Sequence, residues 1–324
     1  MPSYSGVWTL SQQFQAVGQG LWPPNYVLPR GLFAGGSDSS LARINVIDYV
    51  NIETTGNAVD FGDLLTGLAE AAGCASSVRG VFAGGAQFGA GATNVIQYVT
   101  IATIGNAIDF GDLTVAVRDN PGGCSSSTRG LFGGGSGPVA NIGYITIATT
   151  GNALAFGSLS AARSSLSACS SPTRGVFGGG LNASSVVTNV LDYVTMATTG
   201  SALSFGQLTS VSRNLGACAS STRGLFAGGA NSTSATQINI INYVTIATTG
   251  NAIDFGDLSL SVQGVAGCSS QTRGLFGGGF VNPGRTNVIG YVTIDTTGNA
   301  VAFGDLTVTR DFAAACSSTH GGLA

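Results

Sequence analysis

From Arg30 onward the chain repeats one pattern of apolar and polar positions, and the repeat is about 49 residues long. Each copy holds a short apolar run, Gly-Leu-Phe or Gly-Val-Phe, that ends in glycines, as at Gly130–Gly135. A polar stretch of variable length follows. Then comes an alternating run such as Val95-Ile96-Gln97-Tyr98-Val99-Thr100-Ile101, a Thr-Gly-Asn-Ala turn as at Thr150–Ala153, and a second run such as Ala107–Leu113. After another variable stretch a small-residue segment, Gly-Cys-Ser-Ser-Ser, leads through Thr-Arg-Gly into the next copy. β-Branched and aromatic residues at period two, punctuated by turn formers, predict four short strands per copy, which we letter b, c, d and a in chain order. The arginines that open the copies are Arg30, Arg79, Arg129, Arg174, Arg223 and Arg273, spaced 49, 50, 45, 49 and 50 residues apart.

Four strands in a unit of this length predict a propeller blade, and six such units predict an all-β, six-bladed β-propeller with four antiparallel strands per blade. The small residues of strand a fit the crowded axis. One large residue on each other strand, as Phe132, Tyr144 and Phe156, is expected to fill the space between blades. The first copy starts at strand b and the chain finishes with an orphan strand a. The expected closure therefore pairs strand 315–319 with strand 31–35, which removes both exposed edges of the array. The domain organisation read from this is an N-terminal arm over 1–29 and a propeller over 30–324. In the arm, Thr9 and Gln12 have capping-box spacing, with Leu10, Phe14 and Val17 on one helical face; Gly18, Gly20 and Trp22-Pro23-Pro24 end that short helix. The arm reads either as a plug on the body or as a docking segment, with Trp8, Phe14 and Trp22 as its contact residues.

Comparing the copies within the chain locates the variation. Turns a–b and c–d hardly change, whereas loops b–c and d–a differ in length and content. In an up-and-down blade those two loops emerge on the same face. That face is either unconstrained solvent surface or a binding face on a rigid scaffold. Its candidate binding residues are Asp38, Arg43, Phe88, Arg118, Asp119, Asn120, Asn182, Arg213, Asn231, Phe280, Asn282 and Arg285.

Composition narrows the function classes. Only 8% of residues are charged, the net charge is −3, and all 12 basic residues are arginine. Nothing resembles the basic patch that nucleic acid requires. No apolar run is long enough for a membrane-spanning helix, and the start lacks the basic and apolar regions of a signal peptide, so assembly in a cytoplasm is expected. The 6 cysteines occur once per copy, in one equivalent place. Such places lie too far apart for disulfides, so buried free thiols are expected, with no metal role. Asp-Phe-Gly-Asp at Asp60, Asp109 and Asp254 matches a kinase tripeptide by spelling only. Paired carboxylates suit Ca²⁺, but other copies lose them (Ala155 with Ser158, Ser204 with Gln207), which favours turn capping or pairing with the repeated arginine. His320, the 1 histidine, reads as a variant of that arginine position. No catalytic set and no cofactor motif can be assembled.

Two resemblances enter on these residues. The glycine doublet ending strand b, the tyrosine in strand c and an arginine after strand d (Arg118, Arg163, Arg213, Arg310) resemble the kelch repeat. Phe-Gly-Asp-Leu stands where that family usually has Trp. The kelch likeness implies a propeller and, most often, protein binding; the metal ligands of kelch-type copper oxidases have no match here. The opening Gly6-Val7-Trp8-Thr9-Leu10-Ser11-Gln12-Gln13, with Trp22-Pro23 and the Arg-Gly-Leu-Phe-Gly-Gly phrases, is similar to structural proteins of tailed bacteriophages. It implies a non-enzymatic virion component of a tail, fibre or head decoration. Such a component would dock on other virion proteins through residues 1–29, and a homo-oligomer on the particle fits that role. The loop face would turn to a host-surface glycan or protein, with no nucleic acid and no membrane insertion. A bacterial kelch-like protein- or carbohydrate-binding module is the alternative, and a propeller-type hydrolase a third reading.

Overall fold

A computed structural model describes residues 28–232, 234 and 236–323. The helical arm expected within 1–29, with Trp8, Phe14 and Trp22, lies outside the described residues up to position 27. The chain forms a six-bladed β-propeller. Strands a are Ala72–Ala75, Gly122–Ser125, Ser167–Ser170, Gly216–Ala219, Ala266–Ser269 and Ala314–Ser317. Each pairs antiparallel with a strand b, beginning with Arg30–Ala34 and Arg79–Ala83, and b, c and d follow outward in order. We number blades by strand b, so blade 1 contains Arg30–Ala34, Val46–Asn51, Val59–Asp63 and, from the end of the chain, Ala314–Ser317. In the closing pair Gly31 faces Ser317 and Ala34 faces Ala314. The strand ends sooner than 319 because Ser318 already forms the a–b turn. Its N–H donates to Arg30 C=O (3.1 Å), and its hydroxyl accepts from Arg30 N–H (3.1 Å). Ser126 and Arg129 make the same two bonds inside the continuous chain.

Blades adhere through a repeated set of contacts. The strand-b arginine lies over the tyrosine of its own strand c, with guanidinium-to-ring distances from 4.4 Å for Arg79 to 5.0 Å for Arg129. Its Nη1 then donates to carbonyls of the next blade: Arg30 to Ile101, Arg79 to Ile147 and, closing the circle, Arg273 to Ile52 and Glu53. Each tyrosine packs edge-on against the phenylalanine of strand d, as Tyr98 on Phe110 at 5.7 Å. The cysteines are free and buried; Cys74 Sγ sits 2.6 Å from where a Cβ on Gly130 would stand. Only glycine therefore fits after the repeated arginine, and the thiol fills the space. Burial raises the Cys124 thiol to about 12, which keeps it protonated.

The repeated arginine does not pair with the Asp-Phe-Gly-Asp carboxylates, contrary to one expectation, because it is committed to the tyrosine ring and the next blade. The turn asparagine caps that strand instead: Asn106 Oδ1 accepts from Asp63 N–H (3.0 Å) and Asn57 Oδ1 from Asp305 N–H (3.1 Å). A backbone N–H needs no aspartate side chain, so Gln207 keeps the contact, its N–H donating to Asn251 Oδ1 (3.1 Å).

A further contact joins the end of strand d to strand c of the next blade, and its chemistry changes around the ring. Arg163 Nη2 donates to Asp192 Oδ2 (2.6 Å) and its Nη1 to the carbonyls of Gly179 and Val190. Arg310 meets Asp48 in the same way. Backbone bonds and register identify the equivalent pairs as Leu68 with Gln97, Ser212 with Asn242, Val117 with Gly143, and Val262 with Gly290. Arginine thus meets aspartate; an uncharged residue stands opposite an amide, which accepts from Leu65 N–H at one boundary and from Thr209 at the other; and valine stands opposite glycine, where small cavities remain.

Candidate binding face and axial mouth

The b–c and d–a loops share one face and are laced together across blade boundaries. The d–a loop of one blade pairs with the b–c loop of the next: Leu68 with Gln87, Arg163 with Asn182, Arg213 with Ala230, Gln263 with Phe280, and Asp311 with Ser37. Nearer the axis lies a belt of hydrogen bonds. Glu70, Asp119, Ser165, Asn214, Gly264 and Phe312 all have positive φ. Five of their N–H groups donate to the carbonyl of the preceding equivalent residue: Phe312 to Gly264, Gly264 to Asn214, Asn214 to Ser165, Ser165 to Asp119, and Glu70 to Phe312. The sixth, Asp119 N–H, donates to Glu70 Oε2 instead (3.3 Å). Sequence reasoning missed this belt because backbone groups make it, and six different side chains occupy it.

The expected binding residues divide by role. Asp38 Oδ1 accepts from the N–H groups of Ser40 and Ala42, and Asn182 Oδ1 from those of Ser184 and Val186, so both shape their own loops. The Ser40 hydroxyl also holds the Asp38 carboxyl below its usual range. Phe88, at the tip of a b–c hairpin, is 81% exposed. Asn231 shapes its loop through a backbone bond to Thr236, and Asn282 precedes a cis proline, Pro283. Arg285 lies over Phe280 (6.0 Å) and pairs with buried Asp311 (2.8 Å). Arg118 and Asp119 are 3.9 Å apart and open to solvent. Arg213 is half-buried, and burial lowers its pKa. Arg43 is half-buried, and its charge opposes the upward shifts of the Asp311 and Glu70 carboxyls. Desolvation raises Glu70, and Asp119 adds to that; desolvation also raises Asp311, with Arg285 opposing. Arg285, Asp311, Arg43, Glu70, Asp119 and Arg118 thus form a charged arc over blades 6 to 3. Glu70 and Asp311 carried no sequence signal, since their copies are unlike.

Asn120 stands apart. It follows Asp119 in a second positive-φ position (49°), and its Nδ2 donates to Asn214 Oδ1 (3.1 Å), two blades on. Asn214 in turn donates to Gln263 (3.4 Å). These amides lie over an axial chamber, open to solvent, whose rim includes Pro121 and Phe312. At the other end of the axis the chain end closes the passage. His320 does not take the place of the repeated arginine; it turns inward, with Nε2 2.9 Å from Ala75 C=O, while Nδ1 accepts from Gly322 N–H (3.1 Å). That pattern puts the proton on Nε2. Desolvation lowers this imidazole to about 4. Arginine is too long for such a place, and the turn Gly321–Leu323 fits beneath it.

Among the described residues no group of three or more His, Cys, Asp or Glu is placed to hold a metal, and no helix is long and apolar enough to cross a membrane. No protein-family model matches the chain, and a search of curated proteins finds none similar to it.

Proposed function

We propose that this chain is a structural protein of a bacteriophage virion, a tail, fibre or head-decoration component without enzymatic activity. Residues 1–29 attach it to other virion proteins, and the propeller presents its loop face to a host-surface glycan or protein. The observation that carries the reading is the split between the faces. The constant turns are occupied by blade-to-blade contacts, from Arg30 to Ile101 around to Arg273 and Ile52, whereas the differing loops gather on the other side. The similarity of the opening residues and repeat phrases to virion proteins supplies the setting. A kelch-like binding module is the second reading, favoured by the arginines after strand d; Arg163 and Arg310 join neighbouring blades there. Mass spectrometry of particles banded on a density gradient tests the proposal. Co-banding of this chain with capsid and tail proteins is the expected result. Its recovery only from the soluble host fraction would overturn the virion assignment and favour the second reading.

A further inference from the structure

Resting on the binding-face reading above, we infer that the axial chamber under Asn120 and Asn214 is a binding site for one neutral sugar residue, free or at the end of a glycan. The chamber lies at the centre of the loop face, where loops from all six blades converge. No charged side chain lines it. Phosphates, carboxylates and amines would find no counter-charge there, and their desolvation would go uncompensated. The polar groups that line it are neutral: the carboxamides of Asn120 and Asn214, Ser167, and backbone of the innermost strands. Carboxamides offer donor and acceptor together, which matches a hydroxyl in either sense. Phe312, held at φ 54° against Gly264, adds an aromatic surface at the rim for an apolar sugar face.

Backbone strain points to the same place. Asp119 and Asn120 are consecutive non-glycine residues with positive φ, the only such pair among the described residues. Strain of that kind persists where surroundings hold it, and here it carries Asn120 toward Asn214. A sugar hydroxyl inserted between the two amides replaces one amide–amide bond with two to the ligand, an exchange of small net cost. For a ligand of about a dozen heavy atoms, a Kd on the order of 1 mM is expected.

Saturation-transfer NMR on the full chain tests this with glucose, galactose, mannose and N-acetylglucosamine, and with acetate and phosphate as charged probes. Saturable binding of at least one neutral sugar is expected, weakened at least tenfold in Asn120→Gly and unchanged in Ile108→Ala, an exposed position on an outer strand away from the chamber. Glycine accepts the positive φ, so Asn120→Gly keeps the backbone. Asn214→Gly, whose residue also has positive φ, provides a second variant should the first lose its native melting transition. No saturable binding by any of the four sugars, undiminished binding in the glycine variants, or preferred binding of a charged probe overturns the inference. Capture of a polysaccharide ending in the active sugar, compared with the free sugar, separates the two sources. Sugar binding without co-banding leaves this site intact and removes the virion setting; co-banding without sugar binding does the reverse.

Discussion

The Arg163–Asp192 contact allows a sharp test of how the blades are joined. Both side chains are buried, at 1% and 0% exposure, and burial alone lowers the guanidinium pKa while Asp192 opposes that shift. Asp192→Gly strands Arg163 with its charge uncompensated, leaving only the carbonyls of Gly179 and Val190. It also removes the acceptor for Ser160 N–H and hydroxyl. Breaking one side of a buried pair costs about 3–5 kcal/mol. Arg163→Val is milder, about 2–3 kcal/mol, because Ser160 still donates twice to the carboxylate. The double variant Arg163→Val with Asp192→Gly rebuilds what the chain already uses at Val117–Gly143 and Val262–Gly290. It should cost only about 1–2 kcal/mol, mostly for the cavity left behind.

The singles would sum to about 5–8 kcal/mol, so the double variant should show a coupling of at least ~3 kcal/mol. Urea denaturation followed by circular dichroism measures all four proteins. In thermal melts, a 4 kcal/mol loss in a chain of this length corresponds to ~6 °C. If the double variant is destabilised by the sum of the singles, the contact is not an interchangeable module, and the equivalence drawn among the six blade boundaries fails.

Other outcomes follow from the same geometry. Gly130→Ala should destabilise by about 1–3 kcal/mol through its clash with Cys74 Sγ, and Cys74→Ala in the same chain should restore most of the loss, as calorimetry would show. Removing residues 314–324 should abolish the cooperative melt, because strands b of blade 1 and a of blade 2 lose their neighbour; removing only 319–324 should leave it nearly intact. His320 has a folded pKa below its unfolded value, so its neutral form contributes stability in full above about pH 6.5, and that contribution is lost as pH falls toward 4. The full shift corresponds to about 3 kcal/mol, and partial exposure of the ring keeps the loss below that. His320→Gln should flatten that part of a pH–stability curve; an unchanged slope between pH 6.5 and 4 would refute the assignment. Phe88→Ala should leave the Tm within a degree, since the ring is 81% exposed; a large drop would mean that it packs on the body.

The fold was legible because its determinants are local and repeated. The six arginine–glycine steps, the tyrosine–phenylalanine pairs and the cysteines each recur with a fixed partner, so a period in sequence became a period in space. The orphan segment around Cys316 could be assigned for the same reason, although its last residues could not. Thr319-His320-Gly321 reads like Thr-Arg-Gly, but the strand b beside this segment is already Arg30–Ala34, and the chain turns onto the axis instead. The interior of the loop face was hidden for the opposite reason. The belt through Glu70, Asp119 and Phe312 is made by main-chain groups, and the Asn120–Asn214 bond joins residues 94 positions apart that no repeat relates.

What varies between copies therefore has two meanings that a single sequence does not separate. At the ends of strands d, change is matched: Arg163 has Asp192, Ser212 has Asn242, and Val117 has Gly143, so each change is answered across one blade boundary. At Phe88, 81% exposed, the described residues show no such answering side chain. Matched variation reports packing, since a partner inside the molecule constrains it. Unmatched variation lies on the loops, the side on which a binding partner would act. The binding question thus narrows to one side of the disc. On that side Asn120 is set apart by where its partner stands, across the opening that it helps to close.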